Sequence, residues 1–541
     1  MLKDAREIIE KILGELKITD DLRYNVEIPP SAIDADVSTN VALLLSKIIK
    51  KNPKEIAAEI IKEIEKEEIV ADAKFQSGFI NIIFSDKYIY GNLIKFMRPL
   101  PEFPSRYGIL NGKKILVEFV SANPTGPLHI GHGRGAAYGD SLSRLFECLG
   151  AKVEREYYIN DVGNQMEILA QSVKSHIDKK PLPENGYKGK YIEDISETIK
   201  NEKLKNLSQT CFGIKNLDVK EFTINKILEW IKNDLEKFGV HFNNWFWESS
   251  LYKKNEVDEI IQKLKEKNLA YEKDGAVWFK STDFSDDKDR VLVREDGRKT
   301  YLASDIAYHF SKYKRNFDEY IDIWGADHHG YVERMKGAVK AAGCDGKKLK
   351  IILYQLVNII KDGKKVNMST RSGEFITLKE VMDEVGIDAT RFFLLMRNSE
   401  SHLDFDLDLA KKQTPENPVF YVQYGHARIC SIFKEAEKKA VNLPSSAVSL
   451  ENLKLKEERE LIKKVLYFDD LLEIAARDYA PHYLTKYLQD IASCFHSYYN
   501  RNRVITENTD LTNARLAMCQ AVKNVIKDGL SILGVSAPEK M

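Results

Sequence analysis

Cysteine is scarce in this sequence, which has six cysteines among 541 residues and no C-x-x-C pair. Zinc knuckles and disulfide-stapled scaffolds need closely spaced cysteines, so both classes are excluded and a reducing compartment is favoured. Long apolar runs are also missing, since none approaches the roughly 20 residues that a membrane span requires. The opening MLKDAREIIEKILGEL interrupts its apolar positions with charges and predicts an amphipathic helix rather than a signal peptide. We therefore expect a cytoplasmic protein with no membrane partner.

Net charge is absent as well. Lysine plus arginine and aspartate plus glutamate each total 82, so the formal net charge is +0. Such a chain has no global attraction to nucleic acid or lipid, and any polyanion must be met by local patches. Two nucleotide-binding fingerprints, G-x-G-x-x-G and the P-loop G-x-x-x-x-G-K, do not occur either. The length predicts two to four domains.

The pattern of apolar positions divides the chain into segments. Residues 1–105 predict an N-terminal α+β domain. Residues 106–380 predict a Rossmann-like, doubly wound α/β domain of parallel strands, because the strand KKILVEFV, a glycine turn, a helix and the strand KVEREYYI form a βαβ unit. We expect a charged helical insertion at about 165–290, a connecting helical segment at 381–415 and an all-α helical bundle at 416–541.

The stretch SANPTGPLHIGHGRGAAYGD, residues 121–140, joins the first strand of this unit to its helix. A glycine turn before a helix offers backbone N–H groups and the positive end of the helix dipole, which suits phosphate. His129 and His132 stand three residues apart and can donate to one ligand, while Gly131 and Gly133 leave space for a flat adenine. Structural histidines and a metal pair are the alternatives. No third ligand follows at the usual spacing, so no metal site is predicted.

The tetrapeptide HIGH, residues 129–132, resembles the signature of class I aminoacyl-tRNA synthetases, and its surroundings resemble the arginyl-tRNA synthetase version. Four further stretches are similar to that family: REYYINDVGNQ (155–165), TYLASDIAYH (300–309), DIWGADHHGYVERMK (322–336) and NPVFYVQYGHARICSI (417–432). The resemblance implies that ATP, with Mg²⁺ on its phosphates, activates L-arginine to an adenylate, and that the arginyl group passes to the terminal ribose of tRNA(Arg). No protein nucleophile is needed, so positioning and charge stabilisation would carry the catalysis.

The resemblance also assigns residues. For ATP it implies His129, Gly131, His132, Gly133, His328, His329, Met368 and Ser369, with His129, His132 and Arg371 as the catalytic residues. For arginine it implies Glu118, Asn123, Tyr301, Asp305 and Asp327. Carboxylates suit this substrate because a guanidinium is a planar fork of donors. His309 is expected near the nucleotide, whereas Tyr157 and Tyr158 are expected in the core.

The KMSKS loop of class I enzymes is altered here. The corresponding run is KKVNMSTRSGEFITL, in which Asn367 and Thr370 stand where the family has lysines. Arg371 is the expected replacement cation for pyrophosphate, and Lys364 and Lys365 are alternatives. This departure keeps open a non-catalytic RNA-binding or regulatory relative. Two further alternatives are a nucleotidyltransferase that needs no RNA and a lysine-selective synthetase.

The helical C-terminal segment resembles the anticodon-binding module of the family. Tyr421, Tyr424 and Arg428 recur at helical spacing and offer stacking faces and a cation to unpaired tRNA bases. An aromatic stripe on a helix is more often core, so we expect at least one of the two tyrosines to be buried. The resemblance further implies that the N-terminal domain contacts the folded corner of the tRNA. A monomer is expected, because the chain is long enough for an ample core of its own.

Overall fold

A computed structural model gives the architecture of the chain. It describes residues 1–16, 18, 22–30, 32–97, 108–209, 218–366, 376–441 and 449–541, the side chains of residues 202–209 excepted. Within these ranges the chain forms an N-terminal α+β region, a central α/β region and a C-terminal helical region. No helix in the described ranges is long and apolar enough to cross a membrane.

The N-terminal region contains an antiparallel sheet in the strand order β1-β2-β4-β3, flanked by helices. Its elements are α1 (Leu2–Glu15), β1 (Val26–Glu27), β2 (Val37–Thr39), α2 (Val41–Ile49), α3 (Pro53–Ile64), β3 (Val70–Gln76), β4 (Phe79–Phe84) and α4 (Asp86–Leu93). The α+β class predicted for this segment is confirmed.

The central region begins with a strand, a helix and a second strand and then mixes helices with short strands. The elements are β5 (Lys114–Glu118), α5 (Ile130–Cys148), β6 (Lys152–Ile159), α6 (Asn164–Asp178), α7 (Lys190–Gln209), α8 (Val219–Lys237), β7 (Asn244–Trp247), α9 (Ser249–Lys253), α10 (Glu256–Glu266), β8 (Ala270–Lys273), β9 (Ala276–Phe279) and β10 (Arg290–Val293). They are followed by α11 (Tyr301–Lys314), β11 (Glu319–Gly325), α12 (Val332–Ala341), β12 (Leu349–Tyr354), β13 (Val357–Lys361), β14 (Lys364–Lys365), α13 (Leu378–Val385), α14 (Ile387–Leu395), β15 (Leu403–Asp406) and α15 (Leu407–Lys411).

Five of the described strands form a parallel sheet in the order β12-β11-β5-β6-β7. Strand β5 is central, and its apolar residues 115–117 are fully enclosed, as in a sheet covered on both faces. Glu118, its last residue, is in register with Asp322 of β11 and Glu156 of β6. Parallel strands end at one edge, where doubly wound sheets bind their ligands. The predicted Rossmann-like class is confirmed, and this edge is the place to look for a site.

The insertion between β6 and α11 is not purely helical, contrary to the prediction. Strand β7 joins the central sheet beside β6, and β8, β9 and β10 form a separate antiparallel sheet. The four residues of β7, NWFW, are too few to separate a strand from the helical pattern around them. Because β7 pairs with β6, the residue that follows it, Glu248, reaches the carboxyl edge of the sheet.

The C-terminal region, as far as it is described, consists of four long helices: α16 (Pro418–Lys438), α17 (Lys456–Arg477), α18 (His482–Arg501) and α19 (Thr509–Ile532). This is the predicted helical bundle. Asn417 starts α16 by accepting the backbone N–H of Val419 at 3.1 Å. The N-terminal region docks on α17, where Arg459 donates two hydrogen bonds to Asp36 at 2.8 and 2.9 Å.

Candidate active site

His129 and His132 form the start of α5. His129 Nδ1 accepts the backbone N–H of His132 at 3.3 Å, and His132 Nδ1 accepts the backbone N–H of His129 at 3.4 Å. This reciprocal capping stacks the two rings with their centroids 3.6 Å apart. Because both Nδ1 atoms accept, both rings are Nε2–H tautomers, and Nε2–H is the group that can donate to a phosphate.

The two imidazoles are held neutral. Burial lowers the pKa of His129. Burial, reinforced by the neighbouring His129 ring, holds the pKa of His132 well below its usual value. The positive potential of this turn therefore comes from the N-terminus of α5, while the rings supply directed donors.

The two glycines of the histidine turn are packing positions. A Cβ on Gly133 would lie 2.6 Å from Cδ1 of Leu378, and a Cβ on Gly131 would lie 2.9 Å from Cε1 of His129. Gly133 is buried under Leu378, which leaves no room there for the predicted adenine. Gly131 allows the His129 ring to fold back over the start of the helix.

The loop between β5 and α5 begins with a strained turn. Val120 and Ser121 have positive φ angles of 66° and 38°, which are unfavourable for residues with a Cβ. Ser121 Oγ donates to Glu118 Oε1 at 2.8 Å and so ties the turn to the end of β5. Asn123 follows the turn in an exposed position, and its amide donates to Gln165 at 3.1 Å. The turn thus presents Asn123 at the carboxyl edge of the sheet.

Tyr301 and Asp305 lie one turn apart at the start of α11, on one helical face as predicted. Tyr301 is 52% exposed, and its hydroxyl lies 3.0 Å from the point where a Cβ on Gly163 would stand. Asp305 accepts the hydroxyl of Tyr331 on Oδ2 at 2.6 Å. Burial raises the pKa of Asp305, so its ionised form would gain from an added cation.

Glu248 is a site residue that the sequence analysis missed. Its Oε2 lies 2.9 Å from the side-chain amide group of Asn160, and the residue is only 2% exposed. Burial and the charge of Asp305 raise the pKa of Glu248 to about 7, although hydrogen bonds from Ser304 and Tyr158 lower it. Recognition of NWFW as a strand would have found it, because an acidic residue directly after a parallel strand lies at the ligand-binding edge.

Asp305, Glu248 and Asp161 form a group of neighbouring carboxylates that we call the acidic pocket. The charges of Asp305 and Asp161 both act on Glu248. Among the described residues, no lysine or arginine is ion-paired with any member of this group. Buried carboxylates without a counter-ion are costly, so the pocket is suited to a cationic ligand. A guanidinium fits best, since its fork of N–H groups can bond two carboxylates at once.

Glu118 is enclosed by protein donors and differs in this from the acidic pocket. Its Oε2 accepts Lys312 and, at 3.0 Å, the hydroxyl of Tyr308, while Oε1 accepts Ser121. Burial raises the pKa of Glu118, and Lys312 opposes this shift. The predicted contact between Glu118 and the substrate would require these donors to move away. The geometry instead makes Glu118 part of the support for the site.

His309 is also internal, rather than beside the nucleotide as predicted. Its Nε2 lies 2.8 Å from Asp322 Oδ2 and its Nδ1 lies 2.8 Å from the carbonyl oxygen of Asp305. Both ring nitrogens therefore contact the protein. Tyr157 and Tyr158 are buried, as predicted.

Asp327, His328 and His329 lie in an exposed turn directly after β11. The charge of Asp327 acts on His129 and on Tyr354. Asp327 is therefore on the histidine side of the site, whereas the sequence analysis grouped it with Tyr301 and Asp305.

The altered loop lies largely outside the described residues. Met368, Ser369 and Arg371 all fall in the range 367–375, so their predicted roles stay predictions. Lys364 and Lys365 form the short strand β14 and are exposed. The chain after the loop returns to the histidine turn, because Thr377 forms a β-bridge with His129.

Tyr424 and Arg428 belong to an aromatic cluster on α16 and α18. Arg428 lies over the rings of Tyr424 and Tyr499, 4.7 and 4.9 Å from their centroids, and donates to His496 Nδ1 at 3.0 Å. The ring of Tyr421 lies 4.6 Å from His496. Burial and Arg428 lower the pKa of His496, which keeps it an acceptor. Both Tyr421 and Tyr424 are only half-buried, so the expectation that one of them is buried is wrong.

Comparison with protein families matches three successive parts of the chain. Residues 3–84 match the arginyl tRNA synthetase N terminal domain, residues 106–411 the catalytic domain of tRNA synthetases class I (R), and residues 422–541 the DALR anticodon binding domain.

Comparison with individual proteins agrees with these matches. The arginine-tRNA ligase of Syntrophotalea carbinolica is 46% identical over 537 residues, which cover 96% of this chain and 95% of that one. The arginine-tRNA ligase of Staphylococcus aureus is 42% identical over 529 residues, covering 95% and 94%. The solved structure of Thermus thermophilus arginyl-tRNA synthetase superposes over 100% of both chains with a TM-score of 0.80 at 22% identity, and so shows the shared fold.

Proposed function

Because the chain belongs to the arginyl-tRNA synthetase family and is an arginine-tRNA ligase, we propose that the acidic pocket binds the guanidinium of the substrate and that the paired histidines bind ATP. The enzyme activates L-arginine with ATP to arginyl-adenylate and transfers the arginyl group to the 3′-terminal ribose of tRNA(Arg), releasing AMP and pyrophosphate. The observation that carries the proposal is the group of neighbouring carboxylates at the edge of the sheet, none of them ion-paired with a described lysine or arginine.

The arginine side chain enters beside α11. Asp305 and Glu248 receive the guanidinium, and the exposed Tyr301 forms the wall of the pocket mouth. Asn123, presented by the strained turn, orients the main-chain end of the substrate. Glu118 supports this turn through Ser121.

The nucleotide lies over the start of α5. His129 and His132 donate from Nε2 to phosphate oxygens, Gly131 and Gly133 permit the tight turn beneath them, and Asp327 with His328 and His329 borders the nucleotide from the turn after β11. The arginine carboxylate attacks the α-phosphorus, and the bond between this phosphorus and pyrophosphate breaks. The two histidine donors stabilise the charge on the phosphoryl oxygens. Met368 and Ser369 approach ATP and Arg371 the leaving pyrophosphate, with Lys364 and Lys365 as alternatives to Arg371.

Mg²⁺ enters as part of the ATP substrate, coordinated by phosphate oxygens and water. The described residues contain no group of three or more His, Cys, Asp and Glu arranged to hold a metal ion. We therefore assign no protein ligand set to it.

We propose a division into an N-terminal domain (1–105), a catalytic domain (106–380), a connecting segment (381–415) and an anticodon-binding domain (416–541). The matched family ranges support the N-terminal and anticodon-binding domains and the start of the catalytic domain at residue 106. The catalytic match runs on to residue 411, and the connecting segment is not purely helical, because its strand β15 pairs with β13. We also propose that the enzyme acts as a monomer in the cytoplasm, in keeping with a site built from one chain and with free thiols at the five described cysteines. Charging assays with tRNA, ATP and each amino acid test the specificity, since charging of lysine at a comparable rate would contradict the pocket.

The pKa of Glu248 makes arginine binding depend on pH. With this pKa at about 7, the free enzyme holds a proton on Glu248 below neutrality and must release it when the guanidinium binds. The arginine KM should therefore be flat above the pKa and rise as the pH falls, by about tenfold one pH unit below it. Steady-state arginylation over this range measures the effect. Glu248→Gln should remove the slope while raising the KM, and an unchanged slope in the variant would refute the assignment.

The aromatic cluster predicts a tRNA-specific effect. Stacking of an unpaired base on an aromatic ring is worth about 1 to 3 kcal/mol, so Tyr424→Leu should raise the tRNA KM about tenfold. Tyr421 and Arg428 border the same cluster. The KM values for arginine and ATP should not change. Tyr467→Leu, at a half-buried tyrosine of α17 outside the cluster, is the matched control, and equal effects of the two variants would rule out a base contact.

A further inference from the structure

Helix α11 presents polar side chains to the protein interior. Tyr308, His309 and Lys312 follow Asp305 at helical spacing and are 2%, 3% and 0% exposed. A helix normally buries an apolar stripe, and a buried polar face is tolerated only when its groups find partners. The face that begins at the acidic pocket therefore continues into a buried polar contact with the sheet.

Lys312 is the centre of this contact. Its Nζ donates to Asp322 Oδ1 at 2.6 Å and to Glu118 Oε2, and it lies 4.4 Å from the centroid of the Tyr308 ring. The hydroxyl of Tyr308 lies 3.0 Å from Glu118 Oε2 and 2.8 Å from Glu156 Oε1, so its single proton is shared between these two carboxylates. These three carboxylates lie side by side on β11, β5 and β6. One helix is thus bonded to three neighbouring strands.

The charges in this contact are strongly coupled. Burial alone would lower the pKa of Lys312, but Asp322 and Glu118 raise it, so the ammonium stays charged inside the protein. Burial alone would raise the pKa of Asp322, but Lys312 and His309 hold it at about 2. A buried ion pair adds little net stability over well-packed apolar groups, yet it is satisfied in only one arrangement. It therefore constrains the rotation and the axial position of α11.

We propose that Lys312 is a positioning residue for arginine binding, because its bonds to Glu118 and Asp322 fix the register of α11 against the sheet and thereby place Asp305 and Tyr301. This inference rests on the proposed guanidinium pocket. Lys312 does not reach the substrate: its side chain is enclosed, and it lies two turns along the helix from Asp305. The same contact bonds Glu118, which supports the turn before Asn123 through Ser121. Lys312 thus connects the supports for both ends of the substrate.

The first test replaces the ammonium by an uncharged chain of similar length, Lys312→Met. A displacement of about 1 Å at a positioning group can cost up to two orders of magnitude, so we expect the arginine KM to rise at least about tenfold. The ATP KM and the tRNA KM should stay within about twofold, since α5 and α16 are not part of the contact. An unchanged arginine KM would overturn the proposal.

A second variant separates positioning from stability. Lys312→Met combined with Asp322→Asn removes one positive and one negative charge, and the asparagine oxygen can still accept from His309. We expect the melting temperature to recover toward that of the unaltered enzyme, because the net charge of the buried contact is the same as in that enzyme. The arginine KM should remain raised, because the register-setting bonds are still missing. If the KM recovers together with the stability, Lys312 is only a stabilising residue and the proposal fails.

A pair of milder variants, Tyr308→Phe and Tyr313→Phe, serves if these proteins do not fold. Tyr308→Phe removes one hydroxyl, and with it the proton shared between Glu118 and Glu156, but keeps the ring beside Lys312. Tyr313→Phe, on the same helix, removes a hydroxyl bonded to the carbonyl of Asp345 at 2.9 Å, away from the cluster. Tyr308→Phe should raise the arginine KM several-fold and Tyr313→Phe should not; equal effects would overturn the proposal. Asp305→Asn is measured alongside. An unchanged arginine KM in that variant would contradict the guanidinium pocket itself, not the role of Lys312.

Discussion

Replacement of Asp305 by asparagine should raise the arginine KM about 100-fold and leave the ATP KM within about twofold. The substrate side chain carries a permanent charge into a pocket whose own carboxylates are already costly to ionise, as the raised pKa values of Asp305 and Glu248 indicate. Removing one carboxylate leaves the buried guanidinium with a missing partner, a loss of about 3 kcal/mol. Steady-state arginylation with each substrate varied in turn measures the two KM values.

The contribution of the Asp305 charge to arginine binding can be separated from the contribution of shape complementarity. Citrulline has nearly the outline of arginine but no charge, so it should compete weakly in the unaltered enzyme and lose little affinity in Asp305→Asn. The preference for arginine over citrulline should therefore shrink in the variant. Asp318→Asn is the matched control, because Asp318 accepts the backbone N–H of Lys114 at 2.8 Å where β11 begins, at the opposite edge of the sheet. Equal losses of arginine and ATP affinity in Asp305→Asn would contradict the assignment.

Much of this architecture could be predicted from the sequence because its signals are local. The βαβ unit shows its strand, glycine turn and helix in consecutive residues. Helix α11 begins at Tyr301, so Tyr301 and Asp305 share one face by helical geometry alone. The strand KVEREYYI is β6, residue for residue. Its valine, two tyrosines and isoleucine have high β-propensity, and eight residues are enough to define a strand.

Glu248 could not be predicted in the same way. Four residues carry too little periodicity to reveal β7, and only the pairing of β7 with β6 brings Glu248 to the ligand edge. Glu118 shows the opposite difficulty. Its position in the family pattern suggests a substrate contact, but a sequence does not reveal that Lys312, almost 200 residues later, is bonded to its carboxylate. Gly133 is similar, since its partner Leu378 lies on a distant helix. The roles of such residues depend on packing against residues that are distant in the sequence.

The altered loop does not remove the ligase function, although its sequence kept a non-catalytic relative open. Loss of the two loop lysines favoured a non-catalytic relative as one alternative. The family and the ligase activity instead follow from full-length similarity. In the described residues, the carboxylates of the acidic pocket lie next to one another, and the rings of His129 and His132 are stacked. We therefore expect another cation at the leaving pyrophosphate, and Arg371 stays the prediction for it.

The second large effect concerns His132. We expect His132→Gln to lower kcat of arginylation about 100-fold, the usual cost of removing one preorganised donor from a transition-state site. Glutamine at the third position of a helix can accept the backbone N–H of the capping residue, as His132 Nδ1 does now for His129. The start of α5 should therefore persist and the melting temperature should change little, while the Nε2–H donor of the stacked ring is replaced by an amide on a flexible chain, which is not held toward the phosphate. Single-turnover formation of arginyl-adenylate and of arginyl-tRNA measures the step directly.

The same variant distinguishes phosphate binding from a purely structural role for the histidine pair. If the stacked rings only cap α5, His132→Gln should keep nearly full activity, because the cap is retained. If they also hold tRNA, the tRNA KM should rise together with the loss in kcat. A phosphate role predicts a third result: low kcat, an unchanged tRNA KM and normal stability. His176→Gln on α6 is the control for the substitution itself, since His176 lies outside the histidine turn. Only the third result is compatible with donors that act on the charge developing at the phosphoryl group.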